Sequence, residues 1–340
     1  MATAAAGLIL LSAGAASGAS AARQDRVIRT AGSVTEFAPQ PITLPLAAKP
    51  RLTSRPVTAH AHAAAAARRA AATRTQAKPV KRWLPTGTGM WLHDWTRSER
   101  GNPRAVVGKA KRHGLSTLYV QTGSSKKGWI GDPVLRALLP ATKGTDIKVV
   151  AWDFPKLVNP VVDARRMARA ATFRCAGCPR VAAVAPDIET RAEGTQITQA
   201  AIQRYYTVLR QLLPRDVAIL ATIPWPSEMR TGSYPYARTA AHADALLPMA
   251  YWYNRSPAVV TATSMRYLKR FGKPVMPVGQ GYDGRIDAPY LAADPNPGLS
   301  VMAFLLTARH GGAKHVSLWS WQTTGKAQWA SLSKGRRLFS

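Results

Sequence analysis

Cysteine is nearly missing from this chain of 340 residues: only Cys175 and Cys178 occur, in Cys-Ala-Gly-Cys. Two thiols with no Cys/His cluster beside them cannot close a four-ligand zinc site. A redox dithiol or a small-loop disulfide remains, and the disulfide suits an exported protein. Acid is scarce too: 17 Asp and Glu stand against 47 Lys and Arg, a formal net charge of +30. Such a balance favours polyanionic partners and says nothing about fold. No apolar run is long enough to span a bilayer. No Walker-type loop, no Ser-His-Asp order with a nucleophile elbow and no aromatic-basic RNA motif is present. Nucleic acid is therefore ranked last among partners. His93 and Asp94 are adjacent, so on a strand they face opposite ways and make a poor metal pair. No metal and no cofactor is expected.

Residues 1–22 read as a secretory signal. Gly7-Leu-Ile-Leu-Leu-Ser12 supplies a short apolar centre and Ala19-Ser20-Ala21 a small-x-small cleavage site, although no Lys or Arg precedes them. The expected location is secreted or cell-wall associated. Residues 23–86 are rich in Pro, Ala, Ser and Thr, with twelve basic and two acidic residues. Their apolar content is too low to offset the entropy of ordering, so they read as a disordered basic tail. It serves either as an anchor to an anionic wall polymer or as a passive linker.

From Gly87 the pattern repeats. Strand-like runs fall at 89–95, 117–122, 148–154, 181–189, 217–225, 245–253, 275–283 and 315–322. Between them lie helix signatures. Asn102-Pro103, Asp132-Pro133, Asn159-Pro160, Ser256-Pro257 and Asn296-Pro297 each place a cap before a helix-opening proline. Eight such alternations predict an α/β chain folded as a (β/α)8 TIM barrel over 87–325. A doubly wound open sheet is the alternative, but no glycine-rich phosphate loop follows the first run. Residues 326–340 read as a terminal helix and basic tail, and the protein is expected to be a monomer.

The stretch Val181-Ala-Ala-Val-Ala-Pro-Asp187-Ile-Glu189 is apolar until it ends in two carboxylates. Residues two apart on a strand share a face, so Asp187 and Glu189 project together with Cα atoms roughly 6–7 Å apart. Crowded acids at an apolar rim raise one pKa, which makes a general acid. The competing view has Asp187 capping the next helix and Glu189 pairing with Arg191. Barrel active sites sit at the C-terminal strand ends. Those ends carry Asp94 and Trp95, Gln121, Asp153, Trp225, Tyr251, Gln280 with Tyr282 and Asp283, and Trp319 with Trp321. Carboxylates, amides and indoles gathered at one mouth suit a carbohydrate cleft.

Three short motifs carry a resemblance. Asp187-Ile-Glu189 resembles the end of the Asp-x-Asp-x-Glu motif of family 18 glycoside hydrolases, the chitinase-like barrels. Met249-Ala-Tyr251 is similar to their Met-x-Tyr, and Trp319 to the Trp that floors their sugar subsite. The chain as a whole resembles a group of actinobacterial secreted barrels of glycosidase type. The resemblance implies that Glu189 protonates the leaving oxygen. It implies that Asp187 and Tyr251 hold a substrate acetamido group, which acts as nucleophile. Two positions depart from the pattern: Ala185 replaces its first Asp, and Trp252 follows the Tyr where Asp or Asn is usual. In a two-carboxylate scheme Asp94, Asp153 or Asp283 would stand opposite Glu189. The expected substrate is a polysaccharide of the cell wall or environment; a glycan-binding barrel without catalysis is the rival.

Overall fold

The computed structural model describes residues 80–339. The signal-like segment and most of the expected tail lie outside them. Strand β1 (Gly87–Leu92) is followed by helix α1 (Pro103–Arg112), β2 (Thr117–Ser124), the short β3 (Gly128–Trp129) and α2 (Gly131–Ala141). Then come β4 (Lys148–Phe154), α3 (Pro160–Thr172), β5 (Ala183–Pro186), α4 (Gln199–Leu212) and β6 (Ala218–Pro224). The chain continues through α5 (Glu228–Thr231), α6 (Tyr236–His242), β7 (Ala245–Ala250), α7 (Pro257–Lys269) and β8 (Val278–Gln280). It closes with α8 (Pro297–His310), β9 (His315–Trp319) and α9 (Lys326–Gly335).

Neighbouring strands run parallel in the order β1-β9-β8-β7-β6-β5-β4-β2, and β1 pairs with β2, which closes the barrel. All eight expected runs form strands. Several are shorter than the sequence suggested, because backbone pairing stops where the chain turns out into the loops that carry the site. The segment after Thr122 continues as strand before it turns: Gly123 and Ser124 pair antiparallel with Trp129 and Gly128.

Helix entries follow the local chemistry. The side chains of Asn102, Asn159, Thr198 and Ser256 accept backbone N–H bonds from Ala105, Val162, Ala201 and Val259, the usual work of an N-cap. Proline at the first helical turn costs nothing there, since that N–H has no partner in the helix. Asp132 departs from the expectation: α2 begins at Gly131, two residues before Pro133, and the Asp132 carboxylate accepts from Trp129 Nε1 and Arg169.

Strand alternation sorts the side chains into two apolar layers. Val149 and Ala151, Val184 and Ile188, Leu246 and Trp252 pack outward under the helices. Trp91, Tyr119 and Trp152 fill the barrel from one side, against Ala183, Ala185, Ala218 and Ala245 from the other. Large rings opposite a patch of alanines fill the interior without strain. Trp91 stacks on Tyr119 with ring centroids 4.4 Å apart. Their polar atoms are satisfied: Trp91 Nε1 donates to Ser317 Oγ at 2.8 Å, and Tyr119 Oη bonds His315 Nε2 at 2.9 Å.

Both ends of the described segment reach further into the barrel than the sequence implied. Trp83 and Leu84, assigned to the tail, pack against the inner apolar layer, and Arg82 bonds Asp244 at 3.1 Å. At the other end Trp329, Leu332 and Phe339 join the outer layer, so α9 is the eighth barrel helix. Cys175 and Cys178 form a disulfide across the loop after α3.

Candidate active site

At the C-terminal end of the barrel a cleft of about 350 Å³ is lined by Asp187, Glu189, Tyr251, Tyr282 and Trp319. Each arrives there by strand parity. On β5 the inward series Ala183, Ala185 continues to Asp187 and Glu189, while Ile188 between them packs outward. On β7 the series Ala245, Leu247 continues to Met249 and Tyr251. Trp319 ends β9 with its ring 5.3 Å from that of Trp152, edge to face. The interior rings thus support the floor of the cleft.

Asp187 is 8% exposed, and its Oδ1 has no hydrogen-bond partner. Burial, with Asp153 and Glu193 nearby, pushes its carboxyl up to about 7. Glu189 is half-buried. Its carboxyl is held well above the ordinary carboxylate range by desolvation, then by Asp187 and Glu193; Arg230 and Lys156 oppose this only in part. Neither competing role is present. Helix α4 is capped by Thr198 and not by Asp187, and Arg191 donates to the Ile197 carbonyl.

The opposite wall holds a three-residue cluster. Tyr282 Oη and Tyr253 Oη both donate to Asp287 Oδ2, at 2.6 and 3.1 Å. Tyr253 sits at φ 51°, a left-handed conformation that costs a tyrosine energy. Gln280 holds it there: its Oε1 accepts the Tyr253 N–H at 2.7 Å, and its Nε2 donates to the Tyr282 carbonyl.

Seven expected site residues lie elsewhere. Gln280 is 2% exposed and braces the loops that carry Tyr253 and Tyr282, instead of facing a ligand. Asp153 points outward from β4 to Arg166, which donates to both its oxygens at 2.7 Å. A Cβ at Gly123 would collide with that carboxylate, so the glycine makes room for the pair. Trp321 turns out of the barrel onto Trp329 and donates to Glu99. Asp94 caps its own turn, accepting from Thr96 and Arg97. Trp95 and Gln121 line a separate cavity of about 50 Å³. Asp283 likewise pairs with Arg285 and caps the turn after β8. None of the three acids proposed opposite Glu189 lines the cleft.

The acids that do line it besides the central pair are Glu193 and Asp287, with Arg230 and Trp225 beside them. Trp225 was visible as a strand end. Tyr253 closed the expected run 245–253, whereas Glu193 and Asp287 lie in loops and Arg230 in the one-turn helix α5, where neither periodicity nor spacing marks them. Among the described residues no cluster of His, Cys, Asp and Glu is arranged to hold a metal.

The same fold occurs in solved glycoside hydrolases. A GH99 endo-alpha-mannosidase from Bacteroides thetaiotaomicron matches with TM-score 0.52 and 13% identity, over 75% of this chain and 97% of that chain. A chitinase from Chromobacterium violaceum matches with TM-score 0.51 and 12% identity, over 74% and 99%. An endo-beta-1,4-mannanase from Thermotoga petrophila matches with TM-score 0.54 and 11% identity, over 75% and 77%. No family model and no curated protein matches the sequence.

Proposed function

We propose that this protein is an exported or cell-wall-associated glycoside hydrolase acting on a polysaccharide that contains N-acetylated sugars. One observation carries the reading. Asp187 and Glu189 share one face of one strand end, both with raised carboxyl pKa, in a cleft floored by Trp319. The names of the solved barrels of this fold support the reaction class and do not choose the sugar. Glu189, held protonated, delivers its proton to the glycosidic oxygen. The free Oδ1 of Asp187 accepts the acetamide N–H, and the Tyr251 hydroxyl bonds the same group. The acetamide oxygen then attacks the anomeric carbon as the bond to the leaving oxygen breaks, and that oxygen keeps the Glu189 proton. Water completes hydrolysis with Glu189 carboxylate as base, as in substrate-assisted glycosidases.

A specific observation favours a second reading, a barrel that binds glycan without cleaving it. Ala185 puts a methyl group where a carboxylate could have supported Asp187, and Asp187 Oδ1 lacks a partner. Turnover of a polysaccharide panel by the native protein and by Glu189→Gln separates the two. An enzyme loses turnover in the variant and retains binding; a binder turns over nothing in either form.

A further inference from the structure

Beside the cleft runs a second depression of about 550 Å³, lined by Trp225, Ser227, Arg255, Val259, Arg266 and Arg270 among others. Trp225 borders both spaces. The chemistry changes across it. On the cleft side stand Asp187, Glu189, Glu193 and Asp287. On the other side three guanidinium groups face the depression, and none of its described lining residues is a carboxylate. Asp and Glu are in fact absent between Asp244 and Asp283.

The three arginines are exposed and form no ion pair with a described residue. Arg266 and Arg270 are four apart and share a helix face. Cations are ordinary at a helix C-terminus, which accounts for those two at the end of α7. It does not account for Arg255, which precedes the helix and faces the same space. Aromatic faces hold two of the groups: Arg270 lies 4.2 Å from the Tyr267 ring centroid and Arg255 5.9 Å from that of Trp225. A guanidinium stacked this way keeps its N–H edge free for an anion. The Oγ of Ser227, buried at the rim, has no partner.

We infer that this depression is a subsite for the acidic part of the substrate, so that the glycan carries anionic groups flanking the N-acetylated sugar at Glu189. The inference rests on the glycosidase reading for the sugar in the cleft. The opposed charges set the register. An anionic sugar is disfavoured in the acid-crowded cleft and held instead by the arginines, which leaves the neutral acetamido sugar at the reacting position. Aromatic walls and the exposed Val259 give sugar rings a surface to lie on.

The test uses full-length Glu189→Gln protein, which retains its ligand, and three probes. They are a neutral N-acetylglucosamine hexamer, a hexamer alternating N-acetylhexosamine with uronate, and a glycerol-phosphate polymer. Affinities are read by calorimetry in the parent, in Arg266→Gln/Arg270→Gln, and in Lys111→Gln/Lys148→Gln. The last pair removes the same charge from exposed sites remote from the depression. The parent should prefer the uronate hexamer to the neutral one by on the order of tenfold, one or two charge-assisted hydrogen bonds' worth. The arginine variant should bring that ratio to about one, the lysine variant should leave it, and salt from about 0.01 M to about 1 M should erase it. If the phosphate polymer alone shows the arginine-dependent preference, the anion is phosphate and the subsite stands. Equal loss in both variants would mean that only overall charge attracts the probes, and would overturn the subsite. So would an arginine variant that keeps the ratio. Failure of the parent reading looks different: the native enzyme then cleaves no probe, while an arginine-dependent preference persists.

Discussion

The backbone N–H of Asp187 donates to the carbonyl of Asp153 at 2.9 Å, yet the two carboxylates face opposite sides of the barrel wall. Asp187 opens into the cleft with one oxygen unpartnered. Asp153 lies outward in a buried bidentate pair with Arg166, which also reaches Asp163 at 2.8 Å. Two acids on adjacent strand ends thus have separate tasks, one chemical and one structural.

The structural task is large enough to measure. Arg166→Leu leaves Asp153 and Asp163 buried without their cation, and breaking a buried pair in this way costs about 3–5 kcal/mol. Urea denaturation at neutral pH should show a loss of that size. A loss under about 1 kcal/mol, the range of an exposed ion pair, would mean that water reaches Asp153.

Asp187 makes stability fall as pH rises. Its native carboxyl is raised to about 7, whereas in the unfolded chain it titrates near the ordinary aspartate value, about 4. Between those values the native state holds a proton that the unfolded state has lost, so the slope of stability against pH is negative. The contribution is complete below pH ~4 and gone once Asp187 has ionised above pH ~7. Asp187→Asn cannot ionise. Its Tm should gain on the native protein's by at least about 2 °C between pH 5 and 8. Parallel Tm curves would show that Asp187 is freely solvated.

Much of the fold was legible because its signals are local. Asn-Pro and Ser-Pro entries at 102–103, 159–160 and 256–257 do what short-range chemistry requires. The site was legible only along β5 and β7, where parity runs unbroken to Glu189 and Tyr251. The same parity, carried through β4, places Trp152 inward and Asp153 outward; a strand-end acid is a cleft acid only when it shares the inward series. Gln280 defeats this rule from the other side. It has inward parity with Val278, but its amide is used up by the backbone of Tyr253 and Tyr282. Asp287 and Glu193 were out of reach, because only the folded loops bring them to the cleft.

Glu193 offers a handle on the acid that avoids altering it. Its charge is among the causes that raise the Glu189 carboxyl. Glu193→Gln removes that charge, so Glu189 ionises at lower pH and the alkaline limb of the kcat/KM profile should move to lower pH. Activity at the acidic plateau should stay within about threefold, since no proton donor is lost. A limb that stays in place would detach the alkaline titration from Glu189.

The chitinase-like motif that Asp187-Ile-Glu189 resembles has an acid where this chain has Ala185, and introducing one is an informative change. The Ala185 side chain is fully buried in the inner layer among Trp152 and the neighbouring alanines. Its register partner on β4 is Trp152, and the indoles of Trp91 and Trp152 fill the space that a longer side chain would enter. Ala185→Asp must therefore insert an acid into a packed apolar interior without a cation to meet it. The change carries a desolvation cost and an overpacking cost, together about 3 kcal/mol or more. It should lower Tm by several degrees, with no gain in turnover. Ala185→Ser, nearly isosteric, should cost less than half as much. If Ala185→Asp instead folds with native stability and raises kcat, Asp187 has been waiting for a partner that this barrel can still accommodate. The alanine would then mark lost activity, not a repacked core.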